Sequence, residues 1–495
     1  MNERSLKIKG AVQYLLIGSA ALVCRFLFLG RQSFGMDESF SCWVAQHSLS
    51  EIVSLLHYDA HPPLFYMFLH FWEMGGNSVI YLRIPFALCG AVNIILLYFF
   101  GEEFLGKRMG YFTGGIWACS FYALKYESWC RMYALAVTLS LLATWFFWKA
   151  FKQPSGKAWG RYFVFAVLSI YTHYYTAFIL LAHWIFLLFH SRRREALLGL
   201  ICIAIAYLPW FPVFFFQIEH KVSQGFPMAS ITTPFIILAG LLAAFHFFLR
   251  RFWYFILGFL DLTAWISGLI VWRKSEKEKT FLFFLLFSVP FLLPLMITWV
   301  TPMHIFSARY AIIFLPYFIF PIVKGVQKLS FVVWFPFLVS SLAINLYMSS
   351  LYLTSPVYQR QDFKLAAQKI QGSLISGDTL LVEQISSLFP LAYYLPNELN
   401  VKWDPKGYLV PVDPGKSNLN WYGISGTHSL PFVKKVAASS ERVWLVMCQQ
   451  ELVDPDWSIY AYLKSHDIEL HAYKIRSLSP FDDIYIFLFR RRDLK

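Results

Sequence analysis

Residues 80–100, IYLRIPFALCGAVNIILLYFF, form an unbroken apolar run in which Arg83 is the one charged side chain. A helix rises 1.5 Å per residue, so a run of about 20 apolar residues spans the ~30 Å hydrocarbon layer of a bilayer. Comparable runs recur before residue 352, and their spacing predicts spans at roughly 10–30, 80–100, 108–124, 132–150, 161–172, 175–190, 197–215, 253–272, 279–300, 308–323 and 330–351. The whole chain agrees with this reading. Of its 495 residues, 58% are hydrophobic and only 15% charged, whereas soluble chains carry about 25% charged residues. Disordered, collagen-like and ordinary soluble classes are excluded, and a polytopic α-helical membrane protein is expected.

Charge decides the expected orientation. The first apolar run follows Arg4, Lys7 and Lys9, contains Arg25 and lacks a small-residue cleavage site, so it reads as a retained helix with a cytoplasmic N-terminus. Residues 231–249 are apolar enough either to span or to be re-entrant. Before residue 352 there are 27 Lys and Arg, one of them Arg25 inside a span. Eleven spans place 18 of the other 26 in the cytoplasm; twelve place 15 there and leave the RKSEKEK loop (273–279) outside. Cytoplasmic enrichment of Lys and Arg favours about eleven transmembrane helices in a plasma (inner) membrane. The net charge of +14 is thereby a topology signal, and no nucleic-acid partner is expected. The seven cysteines show no CxxC pair and no zinc-like spacing.

Beyond residue 351 the balance changes. Residues 352–495 hold 15 of the 29 acidic and 16 of the 43 basic side chains. Strand-like runs at Thr379–Glu383, Arg442–Cys448 and Ile484–Arg490 alternate with helical patterns at 361–373 and 456–466, divided by SGD and DPG turns. The expected division is therefore a transmembrane module, 1–351, and a small extracytoplasmic α/β domain, 352–495.

On this topology residues 31–79 form a long first external loop. It opens with FGMDESF, which holds Asp37 and Glu38. SLSE follows, in which Ser48 and Glu51 make a capping-box pattern, and then YDAHPPLFY, with Asp59 and His61 ahead of two prolines. The next outer loop, KYESWCRMY, sets Glu127 and Arg131 four positions apart, the spacing of a helix-surface ion pair. Arg83, His173 (YTHYY) and Arg309 (FSARY) face the same side. A carboxylate there can deprotonate a hydroxyl acceptor, and arginines can hold a phosphate leaving group. Nucleotide sugars and ATP are cytoplasmic, so an enzyme on the outer face needs a donor that has crossed the membrane.

Taken in order, MDESF, DAHPPLFY, YLRIPFALCG, RMYAL, YTHYYTAF and SARY resemble the GT-C glycosyltransferases. The nearest groups are dolichyl-phosphate-mannose-protein mannosyltransferase-like proteins and lipid A aminoarabinose transferases. The resemblance covers residues 31–320 and extends to 357–395. It implies inverting transfer of a sugar from a polyprenyl-phosphate donor to a lipid, glycan or protein acceptor. Asp37 would be the general base and Glu38 its companion, with Asp59 and His61 lining the cavity. Arg83 and Arg131 would face the donor phosphate or hold the loops together, with Glu127, His173 and Arg309 as further substrate contacts. Many relatives carry an acidic residue where this chain has Trp129, so no metal ligand is assigned and a divalent metal stays an open expectation. Two other readings stand at this point. A transporter or flippase of lipid-linked glycans would use mid-membrane charges, here chiefly Arg25 and Asp261, and an inactive GT-C scaffold is the second.

Overall fold

The computed structural model describes residues 3–492 except 28, 222–233, 235–236, 239–250, 302, 304, 328–330, 356–359, 400, 404–408, 412–418, 425 and 478–481. Its contacts divide the chain into two compact units, Met1–Leu29 with His47–Ser349, and Gly30–Gln46 with Ser350–Lys495. The long first loop is thus shared between them: residues 30–46 belong with the C-terminal unit and 47–79 with the helical one.

The first unit is helical. Among the described residues four helices are long and apolar enough to cross a membrane: Val79–Leu105, Tyr133–Lys152, Arg193–Glu219 and Lys277–Val300. Shorter apolar helices include Thr176–Phe189 and Leu315–Val326. Several of the expected runs are broken, and local chemistry explains where. The run 108–124 is two helices, Gly110–Cys119 and Phe121–Glu127. Between them Ser120 is extended, and its hydroxyl accepts the Ala123 N–H at 3.3 Å to cap the second helix. The run 197–215 is interrupted by the 3-10 turn Leu208–Trp210, where Pro209 removes a backbone donor. The run 308–323 begins as the 3-10 turn Ala308–Ile313 before the helix Leu315–Val326. Residues 231–249, whose reading stayed open between spanning and re-entrant, lie largely outside the described residues.

Packing in this unit is dense and aromatic. Phe283 sits 4.4 Å from Phe320 and 4.9 Å from Phe104 between ring centroids. Gly268 lets the helix Arg251–Arg273 touch the helix Leu315–Val326, because a Cβ there would run into the Pro321 carbonyl. The helix Arg193–Tyr207 turns Leu197, Leu198, Ile201 and Ile205 outward, an apolar surface suited to lipid rather than water.

The second unit is built on a five-stranded sheet. Its strands are β1 (Thr379–Glu383), β4 (Asn420–Ile424), β5 (Arg442–Cys448), β6 (Asp467–Ile475) and β7 (Ile484–Arg491), in the order β4-β1-β5-β7-β6. A separate antiparallel pair joins β2 (Val401–Trp403) to β3 (Leu409–Pro411). β4, β1 and β5 are parallel, whereas β7 is antiparallel to β5 and to β6. Residues of β1 alternate between two cores. Leu380 and Val382 pack with the helices Phe363–Gln371 and Leu388–Tyr394, and Leu381 packs with Leu430–Ser439 and Ser458–His466. All three strand-like runs and both helical patterns read from this part of the sequence are present.

One residue of β1 breaks the apolar pattern. Glu383 is fully buried, and neither carboxyl oxygen makes a hydrogen bond of good geometry. Burial, reinforced by the Asp454 carboxylate and opposed by the Gln450 side chain, pushes its pKa up to about 8. The folded state therefore keeps Glu383 neutral, while the unfolded chain ionises it near its ordinary value of 4.5. Folding then binds the extra proton, and stability of this unit falls as pH rises from about 4.5 to about 8. Glu383→Gln keeps the shape and removes the titration. Hydrogen exchange of β1 and β5 in the full chain, corrected for intrinsic rates, is expected to show greater protection in the variant at pH 8, by on the order of a few kcal/mol. Equal protection in the two proteins across that range would contradict the account.

Candidate active site

In the helical unit the expected residues collect at a set of helix junctions. Ser48 caps the helix Leu49–Leu56, with the capping box to Glu51 formed in both directions. That helix delivers the turn carrying Asp59 and His61, and Pro63 then caps the helix Leu64–Glu73. Asp59 accepts a 2.6 Å hydrogen bond from the Tyr66 hydroxyl and a 3.1 Å contact from His61 Nδ1. Arg131, just before the helix Tyr133–Lys152, donates to the Tyr66 oxygen at 3.4 Å. Burial alone would raise the Asp59 pKa. His61, Arg131 and the Tyr66 hydroxyl outweigh it and hold the carboxyl well below the usual carboxylate range.

His173 joins this cluster from the junction between Gly156–Thr172 and Thr176–Phe189. Its ring lies 5.5 Å from His61 and 4.8 Å from Tyr310, next to Arg309 on the turn Ala308–Ile313. Burial, with His61 and Arg131 nearby, pushes its pKa well below the ordinary value, and Asp59 acts the other way. Gln217 fastens the turn from behind. Its amide donates to the Leu56 carbonyl at 2.5 Å and the His61 carbonyl at 3.4 Å, while its oxygen accepts from Tyr174. Tyr66 lies within the DAHPPLFY motif and was legible as its last letter; no local pattern marks Gln217.

Glu127 has a different place from the one its spacing suggests. The helix ends at Glu127, so Arg131 does not follow it on a helical turn. Instead Arg25 holds Glu127 Oε2 through Nε at 2.9 Å and Nη2 at 2.8 Å. Asn93 and Trp117 donate to Oε1 at 2.7 and 3.0 Å. Gly90 leaves room for the pair, since a Cβ there would come within 3.1 Å of both partners. Arg25 also donates to the carbonyls of Trp117 and Ala118 at the end of the helix Gly110–Cys119. This engagement makes Arg25, one of the two mid-membrane charges considered for a transport pathway, part of a structural network. Arg83 is buried and donates to the Leu29 carbonyl at 3.0 Å.

Asp37 and Glu38 lie in the second unit, in the first turn of the helix Met36–Ala45. The positive end of that helix favours carboxylates at these positions. Glu38 is fully buried and bonded to Arg360 Nη1 at 2.7 Å. Gly35 permits the approach, because a Cβ would stand 2.5 Å from Arg360 Nη2. The segment is held further by the Phe34 N–H donating to the Tyr394 hydroxyl at 2.8 Å and by Phe40 and Trp43 against Phe389. Asp37 is half-buried. The two adjacent acids thus differ in setting, one paired with Arg360 in the interior and the other half-buried. Among the described residues no group of three or more His, Cys, Asp or Glu side chains is placed to hold a metal ion.

Comparisons with known proteins bear on these positions. Residues 60–216, which include His61, Arg83, Glu127, Arg131 and His173, match the dolichyl-phosphate-mannose-protein mannosyltransferase family. No curated protein matches the chain by sequence. Among solved structures it is similar to ArnT from Cupriavidus metallidurans in the apo state, with a TM-score of 0.61 at 14% identity over 97% of this chain and 98% of that one. The same enzyme bound to undecaprenyl phosphate gives 0.60 at 14% over 96% and 97%. The archaeal oligosaccharyltransferase AglB from Archaeoglobus fulgidus, in complex with an inhibitory peptide and a dolichol-phosphate, gives 0.54 at 11% over 95% and 73%. The resemblance read from the motifs is borne out: this is the GT-C type of fold, helical with a small C-terminal sheet domain.

Proposed function

We propose that this chain, which has the GT-C fold and a mannosyltransferase-family region at residues 60–216, is an integral-membrane glycosyltransferase. It moves a sugar from a polyprenyl-phosphate donor to a hydroxyl acceptor, with inversion at the anomeric carbon. The observation that carries this reading is the cluster of Asp59, His61, Tyr66, Arg131 and His173, set mostly within the family-matched region. The domain division at residue 351, about eleven spans, a cytoplasmic N-terminus and an extracytoplasmic C-terminal domain in the plasma (inner) membrane belong to the same proposal. They rest on the charge distribution and on the apolar helices.

In this reading Asp37 takes the proton of the acceptor hydroxyl as its oxygen attacks the anomeric carbon. The bond to the donor phosphate breaks, and polyprenyl phosphate leaves with the electron pair. Glu38 holds the segment in place through Arg360. Arg131 and Arg83 supply positive charge for the leaving phosphate, with Arg309 beside them in role, and charge-assisted hydrogen bonds make that stabilisation strong in a dry site. Asp59 keeps His61 and Tyr66 oriented.

The test uses the full chain in lipid nanodiscs, supplied with polyprenyl-phosphate sugars and a membrane extract as the source of acceptor. Release of polyprenyl phosphate, together with a new glycosylated product seen by mass spectrometry, is the expected result. Movement of intact lipid-linked sugar across a bilayer without release of polyprenyl phosphate would favour a transporter and overturn the proposal.

A further inference from the structure

The helical unit holds a cavity of about 680 Å³ where three helices end or begin: Val79–Leu105, Tyr133–Lys152 and Lys277–Val300. It stands apart from the cluster around Asp59. The helix Tyr133–Lys152 begins just after Arg131 and reaches the cavity with its last turn. Its 20 residues rise about 30 Å, the thickness of a hydrocarbon layer. The two places therefore lie at opposite faces of a bilayer.

Four lysines and three glutamates line the cavity. Lys149 answers Glu103 at 2.9 Å, and Lys152 answers Glu278 at 3.0 Å. Glu276 is held by Lys279, with Lys324 a further 3.8 Å from it. Lys279 also donates to the Glu103 and Phe104 carbonyls at 3.4 and 3.5 Å, at the end of the helix Val79–Leu105. Each carboxylate is thus answered by at least one ammonium group. Lys277 is exposed and has no ion pair among the described residues. The lining is left with an excess of positive charge.

That balance selects the occupant. The ammonium of a zwitterionic headgroup finds no carboxylate that lacks a partner, whereas a phosphate finds Lys277. Two features put that phosphate on a lipid rather than free in solution. Lys149 and Lys152 lie over the Trp145 and Trp148 rings at 5.0 and 5.4 Å. Long cationic side chains over tryptophans at helix ends mark the boundary between hydrocarbon and water. Along the helix from Lys277 the same face turns apolar: Phe281 and Phe284 follow at i+4 and i+7, and Phe284 and Leu292 are exposed. A headgroup at Lys277 leaves its acyl chains beside that stripe.

We infer that this cavity binds the phosphate of an anionic membrane lipid, in the leaflet opposite the one at the Asp59 cluster, with Lys277 as the contacting charge. Basic pockets between spanning helices recognise such headgroups. The inference requires the chain to cross a bilayer but does not require sugar transfer, so it stands or falls separately from the proposed function.

The test titrates the full-length protein in a neutral detergent with phosphatidylglycerol, phosphatidylcholine or inorganic phosphate, and counts bound lipid by native mass spectrometry. Wild type is expected to hold phosphatidylglycerol on the order of tenfold tighter than phosphatidylcholine. Lys277→Glu, at an exposed position with no ion pair to break, is expected to remove most of that preference. Lys157→Glu makes the same charge change at an exposed position in the first turn of the helix Gly156–Thr172, outside the cavity lining, and is expected to keep the preference. Equal binding of the two lipids, or a preference that survives Lys277→Glu, overturns the site. A preference lost equally in Lys157→Glu also overturns it, by assigning the effect to general surface charge. Displacement of phosphatidylglycerol by inorganic phosphate at equal concentration would make the ligand a soluble anion and overturn the lipid.

Discussion

Asp37→Asn is expected to lower sugar transfer by about 10²–10⁴-fold, the usual contribution of a positioned general base. The amide matches the carboxylate in size and can still sit in the first turn of the helix Met36–Ala45, but it cannot take a proton. Its neighbour cannot replace it, because Glu38 is fully buried and committed to Arg360 at 2.7 Å. The two acids should therefore respond differently to mutation. Asp37→Asn should leave folding and polyprenyl-phosphate binding as in wild type while transfer is lost. Glu38→Gln should weaken the anchoring of residues 30–46, because Arg360 would lose its charged partner. Polyprenyl-phosphate release at matched protein levels, followed with the melting behaviour of each variant, separates the two effects. Transfer by Asp37→Asn near the wild-type rate would remove Asp37 from the mechanism.

Glu127→Leu is expected to cost about 3–5 kcal/mol of stability, the range for breaking a buried ion pair on one side. Arg25 and Glu127 are both wholly buried, so the surviving guanidinium would have no water to turn to. Asn93 and Trp117 would lose their acceptor as well. The double variant Arg25→Leu with Glu127→Leu should recover part of the loss, since no uncompensated charge remains. Yield of monodisperse protein and thermal unfolding in detergent report the outcome. Unchanged stability in Glu127→Leu would refute the structural role. A Glu127→Gln protein that folds normally yet loses transfer would return Glu127 to the substrate-contact role that its place beside the RMYAL motif suggested.

The helical and strand elements were largely legible because they depend on neighbours a few positions away. The apolar run 80–100 became the helix Val79–Leu105, and Thr379–Glu383 and Arg442–Cys448 became strands over the same residues. Breaks inside apolar runs were less so. Ser120 ends one helix and caps the next, but a serine in an apolar run reads equally well as part of a span. The site was legible in its letters more than in its pairings. Asp59, His61, Arg131 and His173 were all expected near one another, and they cluster. Glu127 and Arg131 were expected as a pair because of their spacing, and the helix end between them sends Glu127 to Arg25 instead.

Hydropathy and charge along the chain are enough to mark the apolar helical part, the balanced α/β segment that follows it, and the few charged residues between the apolar runs. Hydropathy and periodicity are local sums, and the cost of exposing apolar surface acts on each run wherever it lies. Which charge answers which follows from the packing of distant segments. Arg25 meets Glu127 across 102 positions and Arg360 meets Glu38 across 322. A buried charge must find an opposite charge or a donor in three dimensions, and its choice depends on which helices pack together and where a glycine lets them approach. No window along the chain contains that information.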